Sequence, residues 1–476
     1  MSSTVVVRDD PMAIARTSVA ALVERARAAM TEFGRADQAR VDEAVTALAW
    51  SIYEPGRAHE LAELAVADTG MGNVKDKITK NQRKTFGTLR DLMRVKTVGI
   101  IEEDRARGLV KYAKPVGVVA AICPSTNPAA TPVNKAMMAV KGRNAVVIAP
   151  SPAGSETTQK TVDYMRAELK RIGLPADLVQ CLPLPASKEL TQALMEAADL
   201  IVCTGSQDNV RRSYRSGTPA IGVGAGNVPV IIDEGADLDD AARKIAASKT
   251  FDNGTSCSSE NSVVILDAVY DQAIAALERA GGWRASAAEK QKIQSTLWQG
   301  GKLNRKAIAR DACVLARLFG LPAEAAERRF FMVEDAGIGP DHPFSGEKLS
   351  LVMTVYRARD FDHAASLVRE ILEHQGRGHS CGIHTRNADH ARYLAERLDV
   401  VRVLVNQAHT FGNGGSFDNG LNFTLSMGCG TWAQNSISEN LNWRHFINVT
   451  HLSTVIPEDK PSEEALFGAY WKRYGR

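Results

Sequence analysis

No apolar run in this chain of 476 residues approaches the ~20 needed to span a bilayer. Cysteine is sparse: there are seven, an odd number, with no Cys-x-x-Cys pair and no Cys/His cluster of zinc-site spacing. That argues against a structural metal and against a disulfide framework, and it fits free thiols in a reducing cytosol. An excess of one charge sign is missing too. Lys and Arg number 58 against 55 Asp and Glu, a net charge of +3. This is too small and too scattered to call for nucleic acid or an anionic membrane as partner. The N-terminus, with Arg8, Asp9 and Asp10 ahead of an Ala-rich amphipathic stretch, lacks the apolar core of a signal peptide, so a cytoplasmic location is expected. What is present, 44% hydrophobic and 24% charged residues, describes a globular protein long enough to bury two or three domain cores.

Residues 12–95 read as helical, broken at Glu54-Pro55-Gly56 and Gly70-Met71-Gly72. They carry no visible chemistry, and Lys75 and Arg83 read as solvated charges. From Lys114 the pattern alternates between short apolar runs and helical segments: Val116–Ile122, Ala145–Ile148, Leu178–Leu182 and Leu200–Cys203 as strands. Such alternation predicts an α/β fold with a doubly wound parallel sheet. Ligands in such sheets bind beyond the carboxyl ends of the strands. Here those ends are Cys123–Pro128 (with Thr126 and Asn127), Ala149–Pro152 (with Pro150 and Ser151) and Thr204-Gly205-Ser206. The last opens a helix near Asn209–Tyr214 and is the better phosphate site. Gly222-Val223-Gly224-Ala225-Gly226 leads into another strand rather than a helix, so it reads as a strand-connecting turn and not as a dinucleotide fingerprint. A second α/β unit is expected over 230–425.

Cys257 stands out. A structural cysteine belongs among branched aliphatics, but this one lies in Asn253-Gly254-Thr255-Ser256-Cys257-Ser258-Ser259, between an apolar helical stretch and the strand Val263–Leu266. Such a turn holds a thiol against a substrate. Asn127, between Thr126 and Pro128, is by itself an ordinary turn residue.

Taken together, Phe251–Glu260, Pro124–Pro128, Gly222–Pro229, Glu347-Lys348-Leu349-Ser350 and Gly428–Asn440 resemble the aldehyde dehydrogenase superfamily, and more closely its CoA-acylating branch. The resemblance covers about residues 15–456. It implies an NAD(P)-binding domain at 1–229, a catalytic cysteine domain at 230–425, and a return over 426–476. Residues 99–115 and the C-terminal strand would form an oligomerisation arm, giving a homodimer or homotetramer. It also implies that Cys257 attacks the aldehyde, that Asn127 and the cysteine N–H hold the resulting oxyanion, and that Glu347 holds the nicotinamide ribose. Thr126, Pro150, Ser151, Thr204, Gly205, Ser206 and Gly224 fall among the cofactor positions. Hydrolytic members carry a glutamate where, aligned on Pro229, this chain has Val223. Valine takes no proton, whereas a thiol acceptor, with a pKa of ~8.5, needs little help from a base. Coenzyme A is therefore the expected acyl acceptor. Glu260 and Glu234 are the acidic neighbours that would have to serve a hydrolytic enzyme. Ala149-Pro150-Ser151-Pro152 lacks the acid that discourages a 2′-phosphate, so NADP or NAD is admitted.

The C-terminal loops carry the resemblance further, to enzymes acting on sulfoacetaldehyde. Backbone amides of the Gly-rich loop Gln407–Ser416, with the side chains of His409, Thr410 and Ser416, are expected to bind the sulfonate; a loop that binds nothing is the plainer reading. Acetaldehyde or propionaldehyde as substrate, a hydrolytic enzyme giving a free acid, and a catalytically silent member of the fold remain the alternatives.

Overall fold

The computed structural model describes residues 10–476; Arg8 and Asp9 lie outside the described residues. Four helices open the chain: α1 (Pro11–Phe33), α2 (Gln38–Tyr53), α3 (Pro55–Thr69) and α4 (Val74–Met93). Each starts where a side chain satisfies free amides: Asp10 accepts from Met12, Asp37 from Arg40, Glu54 from Arg57 and Asn73 from Asp76. In α1 the buried residues Ala15, Val19, Leu22, Ala26 and Ala29 recur at helical spacing and form one apolar face. By contrast, α4 buries polar side chains, Lys77, Lys80, Asn81, Thr85 and Thr88. A helix with that face is built around something other than a core.

Next come β1 (Gly99–Asp104) and β2 (Leu109–Pro115), an antiparallel pair. The chain then winds through β3 (Val118–Ile122), α5 (Ala130–Lys141), β4 (Ala145–Ala149), α6 (Ser155–Arg171), β5 (Val179–Cys181), α7 (Lys188–Ala197), β6 (Leu200–Cys203), α8 (Gln207–Arg215) and β7 (Ala220–Gly222). These strands form a parallel sheet in the order β5-β4-β3-β6-β7. Strands β3 and β4 are buried end to end, as continuous apolar runs require when helices cover both faces.

A second parallel sheet has seven strands, ordered β10-β13-β14-β9-β8-β15-β16. Along the chain they are β8 (Val228–Ile232), β9 (Glu260–Leu266), β10 (Gly282–Arg284), β13 (Phe330–Glu334), β14 (Val352–Ala358), β15 (Gly378–His384) and β16 (Val400–Val405). A small hairpin, β11 (Trp298–Gln299) with β12 (Lys302–Leu303), lies outside it. Helix α9 (Leu238–Thr250) leads into the Cys257 turn. Finally β17 (Ile447–Ser453) returns to pair antiparallel with β2 over the whole register from Ile447–Pro115 to Ser453–Leu109.

Mixed α/β architecture with parallel sheets is thus as expected. The switch of strand order beside β3 places its crevice at the carboxyl ends of β3 and β6. Cys257 sits just before β9, at the amino end of the other sheet.

Candidate active site

One cavity of about 710 Å³ gathers residues from both sheets. From the carboxyl ends of the first sheet come Thr126 and Asn127, Pro150 and Ser151, Thr204, Gly205 and Ser206, and Val223 and Gly224. The second sheet contributes Cys257 and Glu347. Ten of the expected site residues, scattered over more than two hundred positions of sequence, therefore face one space, together with Val223. His409, Thr410 and Ser416 are not among its lining residues.

The Cys257 turn is held from several sides. Asp252 and Asn253 both take left-handed backbone angles, at φ 49° and 57°. Such angles are costly for non-glycine residues and persist only where the surroundings enforce them. Asp252 is wholly buried and accepts from the Asn73 N–H, from Lys77 Nζ at 3.1 Å, from Lys80 Nζ at 2.5 Å and from Thr255 Oγ1 at 2.9 Å. Those two lysines keep its carboxyl low against the opposing pull of burial. Behind Cys257, a Cβ on Gly226 would lie 1.9 Å from the Cys257 carbonyl oxygen. The Gly222–Gly226 turn is glycine-rich because the cysteine turn packs directly against it. Gly224 donates its N–H to Asn435 Oδ1 at 2.9 Å.

The thiol itself is half-buried and, with the other six cysteines, free. Burial, then the nearby Glu347 and Cys429, push it up to about 12, against the smaller pull of Arg402 and Ser258. It is therefore a thiol and not a thiolate at neutral pH, and it needs a proton acceptor. His379, at the start of β15, supplies one: Nε2 lies 3.4 Å from Cys257 Sγ, and Nδ1 is 2.7 Å from Ser380 Oγ. Burial, with Arg402 and His409 nearby, holds His379 well below the ordinary histidine range, so the ring is neutral. Arg402 braces it, donating to the His379 carbonyl at 3.0 Å, to Gly428 O and to Asn440 Oδ1. Sequence reading missed His379; Gly378-His379-Ser380-Cys381 reads only as the opening of a strand.

Asn127 caps the approach to α5, its carbonyl accepting from Thr131 N. Its side-chain amide makes only a long contact, 3.4 Å, with Thr126 Oγ1, and its Oδ1 is buried with no partner. That amide is free to turn a donor toward a ligand in the cavity. Val223 is buried in the same wall. Glu260 and Glu234 are elsewhere: Glu260 is sealed behind the turn and accepts from the His409 N–H, and Glu234 lines a separate surface hollow with Asp360 and His390.

The expected sulfonate nest does not form. His409–Gly412 is a helical turn, not a loop, and its amides are already used. Those of His409 and Thr410 go to Glu260 and Ser248, those of Phe411 and Gly412 to Ala408 O, and those of Asn413, Gly415 and Ser416 to His409, Gly412 and Asn419. His409 is buried, with both ring nitrogens unpartnered, and burial drives it down to about 3, so it is neutral rather than protonated. Arg83 is likewise not a solvated charge. It is partly buried, donates to Ser416 Oγ at 2.8 Å and lies over the rings of Phe411, Phe417 and Phe423.

Residues on both sides of the cavity fit a dinucleotide. Helices α7 and α8 begin on its wall, capped by Ser187 and Ser206, and their free N-terminal amides suit phosphate oxygens. The cavity volume is within the ~300–1,000 Å³ usual for small-molecule and cofactor sites.

Comparison with known proteins agrees with this geometry. The family model described as "Aldehyde dehydrogenase family" matches residues 6–294. The chain is 54% identical over 467 residues to a sulfoacetaldehyde dehydrogenase (acylating) of Cupriavidus necator, covering 98% of this chain and 95% of that one. It is 42% identical to the enzyme of the same description from Bilophila wadsworthia, covering 96% and 100%. Among solved structures, an acetylating aldehyde dehydrogenase from Geobacillus thermoglucosidasius superposes with a TM-score of 0.91 at 34% identity, covering 96% of this chain and 100% of that one. With a free thiol beside a neutral imidazole, an unspent amide lining the same cavity between two parallel sheets, and relatives of this likeness along almost its whole length, the chain belongs to the aldehyde dehydrogenase family.

Proposed function

We propose that the protein is a CoA-acylating aldehyde dehydrogenase that oxidises sulfoacetaldehyde to its acyl-CoA with NAD(P)+. The carrying observation is the Cys257–His379 pair, set in a cavity whose wall has Val223 where a hydrolytic enzyme places its base. The names borne by the relatives at 54% and 42% identity support the acylating outcome and the substrate.

In this reading His379 donates Nδ1–H to Ser380 and so presents the Nε2 lone pair to Cys257. The Sγ–H proton passes to Nε2 as the sulfur–carbon bond forms, and the carbonyl oxygen takes the negative charge. Asn127 stabilises that oxyanion through its Nδ2–H. A donor fixed in place before the charge appears is worth ~10²–10³ in rate. Thr204, Ser206 and Ser151 would hold a dinucleotide along the cleft, with Glu347 toward its nicotinamide ribose; when bound, it would supply the hydride acceptor for oxidation to the thioester. CoA, as its thiolate and having lost its proton to solvent, then displaces Cys257, which recovers its own proton from His379. Since Ala149–Pro152 carries no acid, either nucleotide is accommodated.

One observation favours a hydrolytic reading. Glu347 lines the cavity near Cys257, and burial raises its carboxyl to about 7, a suitable value for a base acting on water. We also propose the domain division 1–229, 230–425 and 426–476, with the β1-β2-β17 sheet as an arm between subunits.

The test of the substrate is a comparison of kcat/KM for sulfoacetaldehyde and acetaldehyde, with CoA saturating. Sulfoacetaldehyde should lead by well over tenfold, because a site built to pair a charged group is penalised when that group is missing. Equal or better turnover of acetaldehyde would contradict the substrate and leave the acylating mechanism standing.

A further inference from the structure

Helix α4 turns its polar face into the active-site region. Lys77 Nζ lies 3.4 Å from the carbonyl of Thr126, next to Asn127. One turn on, Lys80 Nζ contacts Thr255 Oγ1 at 3.2 Å, on the Cys257 turn. One turn further, Lys84 Nζ donates to the Gly414 carbonyl at 2.8 Å. Gly414 follows Asn413, whose amide donates to Ser258 Oγ, so Lys84 is stationed beside the nucleophile's own neighbour.

These cations are not equivalent. Asp252 offsets Lys77 and Lys80. Among the described residues Lys84 has no carboxylate partner; it donates to a carbonyl and lies 5.5 Å from the Phe423 ring. Arg83 beside it bonds Ser416 Oγ, while its Nε is buried with no partner. Withdrawal from water pulls Lys84 down to about 7, a cost that Arg83 and Lys80 add to and that the Cys257 thiolate opposes. Arg83 has Asp418 nearby as a partial counter-charge, through the Ser416 hydroxyl. Lys84, enclosed without a carboxylate, is the electrostatic debt within the fold, and an anionic ligand removes it.

We propose that Lys84 and Arg83 are the specificity-determining residues for this enzyme, receiving the anionic head group of the aldehyde while its carbonyl meets Cys257. The inference rests on the substrate reading above and replaces the backbone nest with a pair of side-chain cations. In sulfoacetaldehyde a single methylene separates the sulfonate from the carbonyl carbon, so its reader has to stand next to the nucleophile. Lys84 is close enough to Cys257 for their charges to act on one another, and its Gly414 contact leads through Asn413 to Ser258. Arg83, held among Phe411, Phe417 and Phe423, provides a planar donor edge on the same side.

The experiment measures two things on the wild type, Lys84→Met and Arg83→Gln. One is the ratio of kcat/KM for sulfoacetaldehyde to that for acetaldehyde. The other is the dissociation constant of isethionate, an unreactive sulfonate alcohol, by calorimetry. Each substitution is expected to shrink the ratio at least tenfold and to weaken isethionate by a similar factor. Two positions guard against one variant failing to fold, and the isethionate titration of the wild type at rising salt is a third reading, with affinity expected to fall. Variants that keep the wild-type ratio and the wild-type isethionate affinity would overturn the inference while leaving the substrate assignment intact. A wild type that itself prefers acetaldehyde would instead remove the substrate assignment on which the inference stands.

Discussion

Cys257 is held as a neutral thiol by burial and by the carboxyl of Glu347. In the mechanism we propose, its attack is coupled to proton transfer to His379, 3.4 Å away, and the oxyanion that follows has Asn127 as its side-chain donor. Asn127→Ala should therefore lower kcat by ~10²-fold or more while altering nucleotide affinity little, because the amide acts on charge that exists only after attack. Steady-state kinetics beside nucleotide titration check this; a change confined to KM would make Asn127 a positioning residue. Lys84 carries a pH prediction. Its ammonium lies near 7 in the folded chain and at an ordinary 10.5 outside it, with Lys80 and Arg83 on its own helix and Cys257 opposite. It is charged below about pH 7 and neutral above. Sulfonate affinity should then fall as pH rises through 7, by about tenfold, the worth of one charge-assisted hydrogen bond. Isethionate calorimetry between pH 6 and 8.5 reads this independently of the rising thiolate content of CoA. A flat profile would place the sulfonate away from Lys84.

The turn before Cys257 is a joint between elements, and its strength lies in Asp252. Two buried lysines of α4 converge on that one carboxylate, which also fixes the left-handed backbone of the turn. Removing its charge with Asp252→Asn leaves two buried ammonium groups without a counter-ion, a change that costs ~3–5 kcal/mol when a buried pair is broken. Denaturant unfolding should show that loss, and loss of activity should accompany it; a variant of wild-type stability would mean that water reaches the lysines. This joint also shows where sequence reading stops. The strands and helices of the parallel sheets were legible because continuous apolar runs alternate with amphipathic segments, and Val118–Ile122 or Ala145–Ala149 admit no other reading. Cys257 was legible because a thiol among Ser, Thr and Gly has no apolar reason to be there. In α4, periodicity shows which residues share a face but not what that face meets, so Arg83 read as solvated. His379 is separated from Cys257 by 122 positions and becomes a partner only when β15 lies beside β8 and β8 beside β9. Over Gln407–Ser416 the glycine content suggested a loop with free amides, whereas a helical turn and side-chain acceptors take those of His409–Asn413, Gly415 and Ser416.

At the scale of the molecule, β1, β2 and β17 form a sheet separate from the two parallel ones, with β17 as an edge strand. Val449 and Leu452 on it are 39% and 49% exposed. An edge with open ladder groups and exposed apolar side chains is a liability unless another chain covers it, which is why we assign it to an interface between copies. Val449→Asp with Leu452→Asp should lower the mass in light scattering from dimer or tetramer toward monomer; an unchanged mass would remove the arm from the interface. At the centre of the proposed mechanism, an acyl group rests on Cys257 until a thiol collects it. The direct measurement is rapid mixing of enzyme with sulfoacetaldehyde and NAD(P)+ in the absence of CoA, following reduced nucleotide and the mass of the protein. The predicted result is a burst of at most one equivalent per active site, a matching acyl adduct on Cys257, and multiple turnover only when CoA is added. Sustained turnover to the free acid without CoA, with no adduct on Cys257, would contradict the account.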